Sequence, residues 1–292
     1  MEPLLVEIQQ DRAGFGHFIG SWLLRGEKTI VIDVGPSASV HRLISSLRGL
    51  GIETVDYVLL SHIHLDHAGG LAEFLEQFPM ASAICHHKGL SHLVEPSRLW
   101  QGSLNVLGDL ADSYGSPGPV PEERLLSHMH ARIDGLDIIE TPGHAPHHLS
   151  FIYEGHLFVG EAGGNYFHID DSEYLRPATP PVFHLDRALN SIDLLLERDR
   201  LPICYSHFGM AGDSQRMLRR SRDQLLLWKE VIEKEKAQVD QGLAESCVRR
   251  LLATDSNLEA WSKMSPPVKE RERWFLRNSV KGYLGYLESN EA

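Results

Sequence analysis

Cysteine is scarce in this chain. Cys85, Cys204 and Cys247 are scattered and odd in number, and no C-x-x-C pair exists. A disulfide framework and a thiolate zinc site are therefore excluded. The three thiols are expected to be free and buried, in a reducing compartment. Long hydrophobic runs are absent too: no stretch approaches ~18 consecutive apolar residues, so no membrane-spanning helix is expected. Met1-Glu2-Pro3-Leu4-Leu5-Val6-Glu7 lacks the basic and long apolar segments of a secretory signal, which leaves a cytoplasmic location as the default expectation. Positive charge is in deficit, with 28 Lys and Arg against 40 Asp and Glu, and a net charge of −12 with histidines neutral. That balance argues against a nucleic-acid groove and against an anionic membrane surface, though not against a small basic pocket. Neither a fixed-period repeat nor a G-x-S-x-G nucleophile elbow is present.

What is present is an ordinary globular composition, 42 % hydrophobic and 23 % charged, over 292 residues. Such a chain can bury a full core as one large domain, or as one domain with an appendage. Residues 4–35 read as β-rich: Leu4 to Ile8, Phe18 to Leu24 and Thr29 to Val34 are strand-like runs broken by glycines. A helical face over Ser39 to Leu50, a strand over Val55 to Leu60, a helix from Leu71 to Phe78 and a strand over Ala81 to Cys85 follow. This alternation is a signature of helices packed on a sheet. Residues 86–127 are less regular, and their histidines read as surface or interhelical residues with the option of lining a pocket mouth. A hairpin spans Leu149 to Val159, and Leu185 to Leu196 is a helix. After residue 210 the pattern becomes helical, with Pro266-Pro267 as an interruption. Arg216, Arg219, Arg220 and Arg222 read as a solvated helix face, or as an anion-binding rim.

The densest chemistry follows the strand at Val55 to Leu60. Ser61-His62-Ile63-His64-Leu65-Asp66-His67 sets four metal-capable side chains within six residues, followed by Gly69-Gly70. Imidazole and carboxylate suit borderline divalent ions such as zinc. Neighbours on a short loop point in different directions, so two adjacent ions accommodate the four groups more easily than one. Three further candidates stand directly after apolar runs: His144 in Thr141-Pro142-Gly143-His144, Glu161 after Val159-Gly160, and His207 in Ser206-His207-Phe208-Gly209. In layered α/β folds such strand ends gather at one edge, where sites form. Asp33, at the end of its own apolar run, has two readings: a turn former, or a group that orients a metal ligand.

Together these motifs resemble the metallo-β-lactamase-fold hydrolase superfamily, in particular its glyoxalase II-like branches. The resemblance covers residues 1 to about 210 in the right order. More narrowly, His86-x-x-Gly89-x-x-His92-Leu93 and Arg176-Pro177-Ala178-Thr179-Pro180-Pro181 are similar to a branch of uncharacterised hydrolases. The resemblance implies a four-layer αββα sandwich over residues 1–210 as the catalytic domain, with a C-terminal helical subdomain over 211–292. It implies two divalent ions, zinc first, with iron or manganese as alternatives. His62, His64 and His144 would hold one ion; Asp66, His67 and His207 would hold the other. Glu161 would bridge them and Asp33 would brace the ligands. Two positions depart from the family pattern. Glu161 stands where aspartate is usual, which leaves either a displaced backbone or one weaker site, and His147 stands where glycine is common. His147 and His148 are expected at the surface or behind the ligands.

The activity so implied is hydrolysis of an ester, thioester or lactone by a metal-bound hydroxide, with Asp66 orienting the nucleophile and moving a proton. A phosphodiesterase, a mononuclear iron dioxygenase using His62, His144 and Glu161, and a non-catalytic metal-binding protein are the alternatives. The expected partner is a small-molecule substrate, with no nucleic acid and no membrane. Apolar positions expected to be exposed on the terminal helices (Trp261, Trp274, Phe275, Tyr283, Tyr286) are compatible with a homodimer.

Overall fold

The computed structural model describes residues 2–239 and 241–291. Its contacts divide into two compact units, Met1–Glu140 with His147–Phe158, and Thr141–Pro146 with Val159–Ala292. This division does not fall at residue 210; the C-terminal helices belong to the same unit as residues 159–211.

The first unit is built on a six-stranded sheet. Its strands are β1 (Leu4–Glu7), β2 (Gly20–Arg25), β3 (Thr29–Ile32), β4 (Tyr57–Leu59), β5 (Ser82–Cys85) and β6 (Leu125–Ser127), ordered as in the sequence. β1, β2 and β3 pair antiparallel, whereas β3 to β6 run parallel. Parallel strands covered on both faces read as continuous apolar runs, and Ile30, Val31, Ile32, Val58, Leu59, Ala83 and Ile84 are all buried. The register aligns Ile32 with Leu59, Leu59 with Ile84, and Ile84 with Leu126. The four parallel strands therefore end at one edge, and the residues after them (Asp33, Ser61, His86 and His128) collect there.

Helix α1 (Val40–Gly49) buries Val40, Leu43 and Leu47, an i, i+3, i+7 stripe. The short α2 (Leu65–Ala68) and then α3 (Leu71–Gln77) follow β4. A side chain at Gly70 would lie 2.4 Å from the Val40 side chain, so only glycine lets the start of α3 approach α1. The irregular stretch resolves into α4 (Leu90–Val94), α5 (Ser97–Leu107) and α6 (Asp109–Tyr114). The unit closes with β7 (Asp137–Glu140), β8 (Leu149–Tyr153) and β9 (His156–Gly160), successive antiparallel neighbours. At Phe158–Val159, β9 carries the chain into the second unit.

The second unit holds the hairpin β10 (Asn165–Ile169) and β11 (Ser172–Arg176), helix α7 (Leu185–Leu196), the pair β12 (Ile203–Tyr205) and β13 (Met210–Ala211), and three helices. These are α8 (Ser214–Lys236), α9 (Leu243–Thr254) and α10 (Pro266–Glu291). Asp213 caps α8 by accepting the Arg216 N–H at 3.1 Å. Pro266-Pro267 does not interrupt a helix but starts one. In the first turn a missing N–H costs nothing, and proline's fixed φ suits the helix. The β10–β11 hairpin was not anticipated, because its turn carries Asp170-Asp171 rather than glycine; Asp170 itself adopts φ +50°, a conformation aspartate tolerates.

Tyr283 is buried rather than exposed: its hydroxyl donates to the Leu225 carbonyl at 2.9 Å. Trp261, Trp274, Phe275 and Tyr286 are half-buried, so less apolar surface remains on these helices than the sequence indicates. The basic cluster on α8 faces acids within its own unit. Arg216 and Arg220 both reach Glu173, and Arg222 reaches Asp193. All three cysteines are free and buried, and burial pushes the Cys85 thiol up to about 12. Among the described residues, no helix is long and apolar enough to cross a membrane.

Candidate metal centre

Two groups of chemically capable side chains stand at strand ends, one in each unit. In the first unit, His62 follows β4 directly, His64 precedes α2, and Asp66 and His67 lie in the first turn of that helix. The imidazoles pack closely: the His62 centroid lies 4.5 Å from that of His64 and 4.1 Å from that of His67. His67 Nε2 is 3.7 Å from Asp66 Oδ2. All four candidates of the His62 to His67 motif are thus brought together.

Asp33 organises them. It is 1 % exposed and sits at φ +57°. One carboxylate oxygen accepts the Ser61 N–H at 2.8 Å. The other accepts the Ser61 hydroxyl at 2.7 Å and His67 Nδ1–H at 2.9 Å. A carboxylate only accepts, so the His67 ring proton belongs on Nδ1 and the Nε2 lone pair points away from Asp33. The Ser61 hydroxyl spends its proton on Asp33, so at 3.0 Å from His62 Nδ1 it accepts. The His62 proton therefore also sits on Nδ1. One buried acid fixes two tautomers, each with Nε2 as the electron-pair donor. This is the bracing arrangement that metal-binding histidines use.

His148 is not a surface residue, and His147 is half-buried. The His148 ring is fully buried with its centroid 5.3 Å from that of His62, and the His147 ring stacks on His62 at 6.3 Å and 17°. They form a wall against a candidate ligand.

In the second unit, Glu161 lies between two imidazoles. His144 Nε2 is 2.8 Å from Glu161 Oε2, and His207 Nε2 is 3.2 Å from Oε1. Gly160 at φ +59° and Gly164 at φ +83° flank this turn; a side chain on Gly164 would meet the Arg176 carbonyl at 2.5 Å. His144 Nδ1 donates to the Ala178 carbonyl at 3.0 Å. A carbonyl only accepts, so this fixes the His144 proton on Nδ1 and turns the Nε2 lone pair toward the carboxylate. Two electron-rich atoms at 2.8 Å need a positive charge shared between them, a proton or a metal ion. Burial pushes the Glu161 carboxyl up, but His144 and His207 outweigh it and hold it well below the usual carboxylate range. A cation fits this set of donors.

Sequence reasoning missed the groups behind Glu161. Asn165 Nδ2 donates to Glu161 Oε1 at 3.0 Å, and Asn165 Oδ1 accepts from Arg176 Nη1 at 3.1 Å. Arg176 Nε in turn reaches Glu272 on α10 at 2.6 Å. The stretch Arg176 to Pro181 therefore does two jobs: Arg176 anchors this chain of bonds, and Ala178 supplies the carbonyl that orients His144. The motif was visible in the sequence, but its role was not, because Arg176 and Glu272 are 96 residues apart. A small pocket borders His144 and Glu161, walled by Pro177, Thr179, Phe183 and Leu225 among others.

The model of the metallo-β-lactamase superfamily matches residues 16–207. The chain belongs to that superfamily. A probable metallo-hydrolase of Methanocaldococcus jannaschii is 30 % identical over 206 residues, 68 % of this chain and 92 % of the relative. A metallo-β-lactamase-fold protein of Sulfurisphaera tokodaii is 27 % identical over 72 % of this chain and 79 % of its own. The crystal structure of an archaeal superfamily protein from Sulfolobus tokodaii superposes with a TM-score of 0.67 at 22 % identity, covering 96 % of this chain and 98 % of that one. A hydroxyacylglutathione hydrolase of Aeromonas salmonicida is 29 % identical over 141 residues, 48 % of this chain and 44 % of the relative. The fold is thus the α/β sandwich of this superfamily with helices at the C-terminus, as the sequence implied.

Proposed function

We propose that this protein is a metal-dependent hydrolase of an ester, thioester or lactone. The observation that carries the reading is the His144–Glu161 contact: a lone pair fixed by Ala178 faces a carboxylate at 2.8 Å, which calls for a cation. In this reading His62, His64 and His144 hold one divalent ion, and Asp66, His67 and His207 hold a second. Zinc suits the histidine and carboxylate donors, as do iron and manganese. Glu161 would be shared by the two; its oxygens are divided between His144 and His207, which supports that role. The longer side chain is accommodated by the glycine conformations on either side of it.

Bound divalent ions would lower the pKa of a water and polarise the substrate's acyl oxygen. The chain's own residues do the rest. Asp33 and Ser61 hold the His62 and His67 rings in the form that presents Nε2. Asn165 keeps the Glu161 carboxylate from turning. Asp66, 14 % exposed at its side chain, would orient the attacking water and pass its proton to the leaving group. The relative named a hydroxyacylglutathione hydrolase favours acyl over phosphoryl substrates.

The test combines metal analysis with a panel of esters, thioesters, lactones and phosphodiesters on the same sample. About two ions per chain and acyl hydrolysis are expected. His64→Ala and Asp66→Ala should each lower turnover at least 100-fold with the far-ultraviolet circular dichroism unchanged. One iron per chain with oxygen consumption would replace the hydrolase by a dioxygenase, and undiminished turnover in both variants would sink the assignment.

A further inference from the structure

The parallel sheet edge carries a second cluster of donors that the proposed activity does not use. His86 follows β5, His128 follows β6, and Glu140 is the last residue of β7. His128 Nε2 lies 2.9 Å from Glu140 Oε1, and His86 Nε2 lies 3.5 Å from Oε2. The two rings stack with centroids 4.7 Å apart at 25°, and His87 lies 4.4 Å from His86. His86, His87, His128 and Glu140 each offer an atom within 4.8 Å of the others. All four belong to the first unit.

We propose that His86, His128 and Glu140, with His87 completing the set, form a second and weaker site for a divalent transition ion such as zinc. Three imidazoles and one carboxylate are a donor set for zinc, which takes four ligands at about 2.0–2.2 Å. Ligands at that distance lie about 3.3–3.6 Å apart in a tetrahedron, so the 2.9 Å contact must open slightly, the 3.5 Å contact already fits, and the wider spacings of up to 4.8 Å must contract. The inner and outer ligands differ in a useful way. His86 is 2 % exposed and His128 9 % exposed, whereas the Glu140 side chain is 50 % exposed. Two rings are held by the fold, and the side chains that close around the ion face solvent, through which it can enter.

The site is weaker than the one at His62 to His67 for a definite reason. His86 Nδ1 accepts the Lys88 N–H at 3.1 Å, and His128 Nδ1 accepts the His87 N–H at 3.3 Å. Both rings therefore carry their proton on Nε2 and donate it to Glu140. This is the reverse of the tautomers that Asp33 and Ser61 impose on His67 and His62. To coordinate through Nε2, each ring must move its proton to Nδ1, with no net release, and the two backbone contacts must open. The contact to the His87 N–H, at 3.3 Å, is long for a hydrogen bond, and opening it frees His87 to swing in. The ion thus replaces a hydrogen-bonded histidine–carboxylate cluster and remodels residues 86–89.

The experiment titrates zinc into chelator-stripped full-length protein, following binding by calorimetry and the histidine tautomers by nitrogen-15 NMR. Wild type should take up one more ion per chain than His128→Ala, with at least tenfold lower affinity than the tightest step. Glu140→Gln, which keeps the shape, should weaken that late step at least tenfold while matching the wild-type unfolding midpoint in chelator. A His64→Ala/His207→Ala variant should keep the late step, so the outcome is separable from the fate of the hydrolase reading. On loading, the His86 and His128 signals should change from the Nε2–H to the Nδ1–H form. Identical isotherms for wild type, His128→Ala and Glu140→Gln, or tautomers unchanged in excess zinc, would overturn the proposal and leave a hydrogen-bond cluster only.

Discussion

At the scale of single residues, Asp33 governs more chemistry than its position suggests. It contributes no ligand, yet it decides which nitrogen of His67 and, through Ser61, of His62 carries a proton. Asp33→Asn retains size and removes this control. One side of the amide is a donor, so it cannot accept the Ser61 N–H on one side and the Ser61 hydroxyl with the His67 Nδ1–H on the other. The expected result is a 10–100-fold loss of metal affinity with little loss of secondary structure, measured by competition with a chelating dye. Glu161 shows the same economy on the other ligand group: its carboxylate touches His144, His207 and Asn165 at once.

At the scale of elements, the second unit joins β11 to the terminal helices by two ionic clusters of different character. Arg176 and Arg271 both reach Glu272, and all three are at most 5 % exposed. Arg176→Met leaves Glu272 with one partner instead of two and removes the support of Asn165. A loss of about 3 kcal/mol in urea unfolding is expected, toward the low end for breaking a buried pair because Arg271 remains. The other cluster is nearer solvent. Burial pushes the Glu173 carboxyl up, but hydrogen bonds from Arg220 and Arg216 outweigh this and hold it at about 2. A folded-state pKa below the unfolded value of ~4.3 stabilises the protein above that pH, and the contribution disappears as pH falls toward 2. Glu173→Gln should therefore cost about 1 kcal/mol at pH 7, given the exposure of the pair, and the gap to wild type should close between pH 4.3 and 2 in urea titrations.

At the scale of the whole molecule, metal loading and stability are linked. The candidate ligands come from many separate segments of the chain, and the unfolded chain does not hold them together. An ion that binds only the folded form raises stability by an amount set by its concentration relative to its Kd, about 2.7 kcal/mol at a hundredfold excess. Chelation should therefore lower the thermal midpoint by several degrees, and zinc should restore it. A midpoint indifferent to chelator would mean that the folded protein does not hold the ions assigned to it. The negative charge of the whole chain adds to this: at −12 the surface favours cations as a class.

Which side chains are candidates for the chemistry was legible in the sequence, because the signal is local. His62, Asp66 and His67 follow β4 within a few residues, Glu161 follows β9, and His207 follows β12. An apolar run ending in donors and glycines announces a strand end whatever the rest of the chain does. Proton positions were not legible, because they depend on partners far away: Asp33 for His67, Ala178 for His144. Nor was the support of Glu161 by Asn165, Arg176 and Glu272, or the burial of His148 and Tyr283. The His86–His128–Glu140 cluster shows the same division. The sequence displays its histidines as scattered polar residues, and only the parallel register of β5 and β6 brings His86 and His128 side by side. Sequence alone thus determined the kinds of ligand and their places at strand ends, through local hydrophobic pattern. Tertiary structure decided which nitrogen each ring presents, because a tautomer is chosen by the acceptor that packing brings within 3 Å.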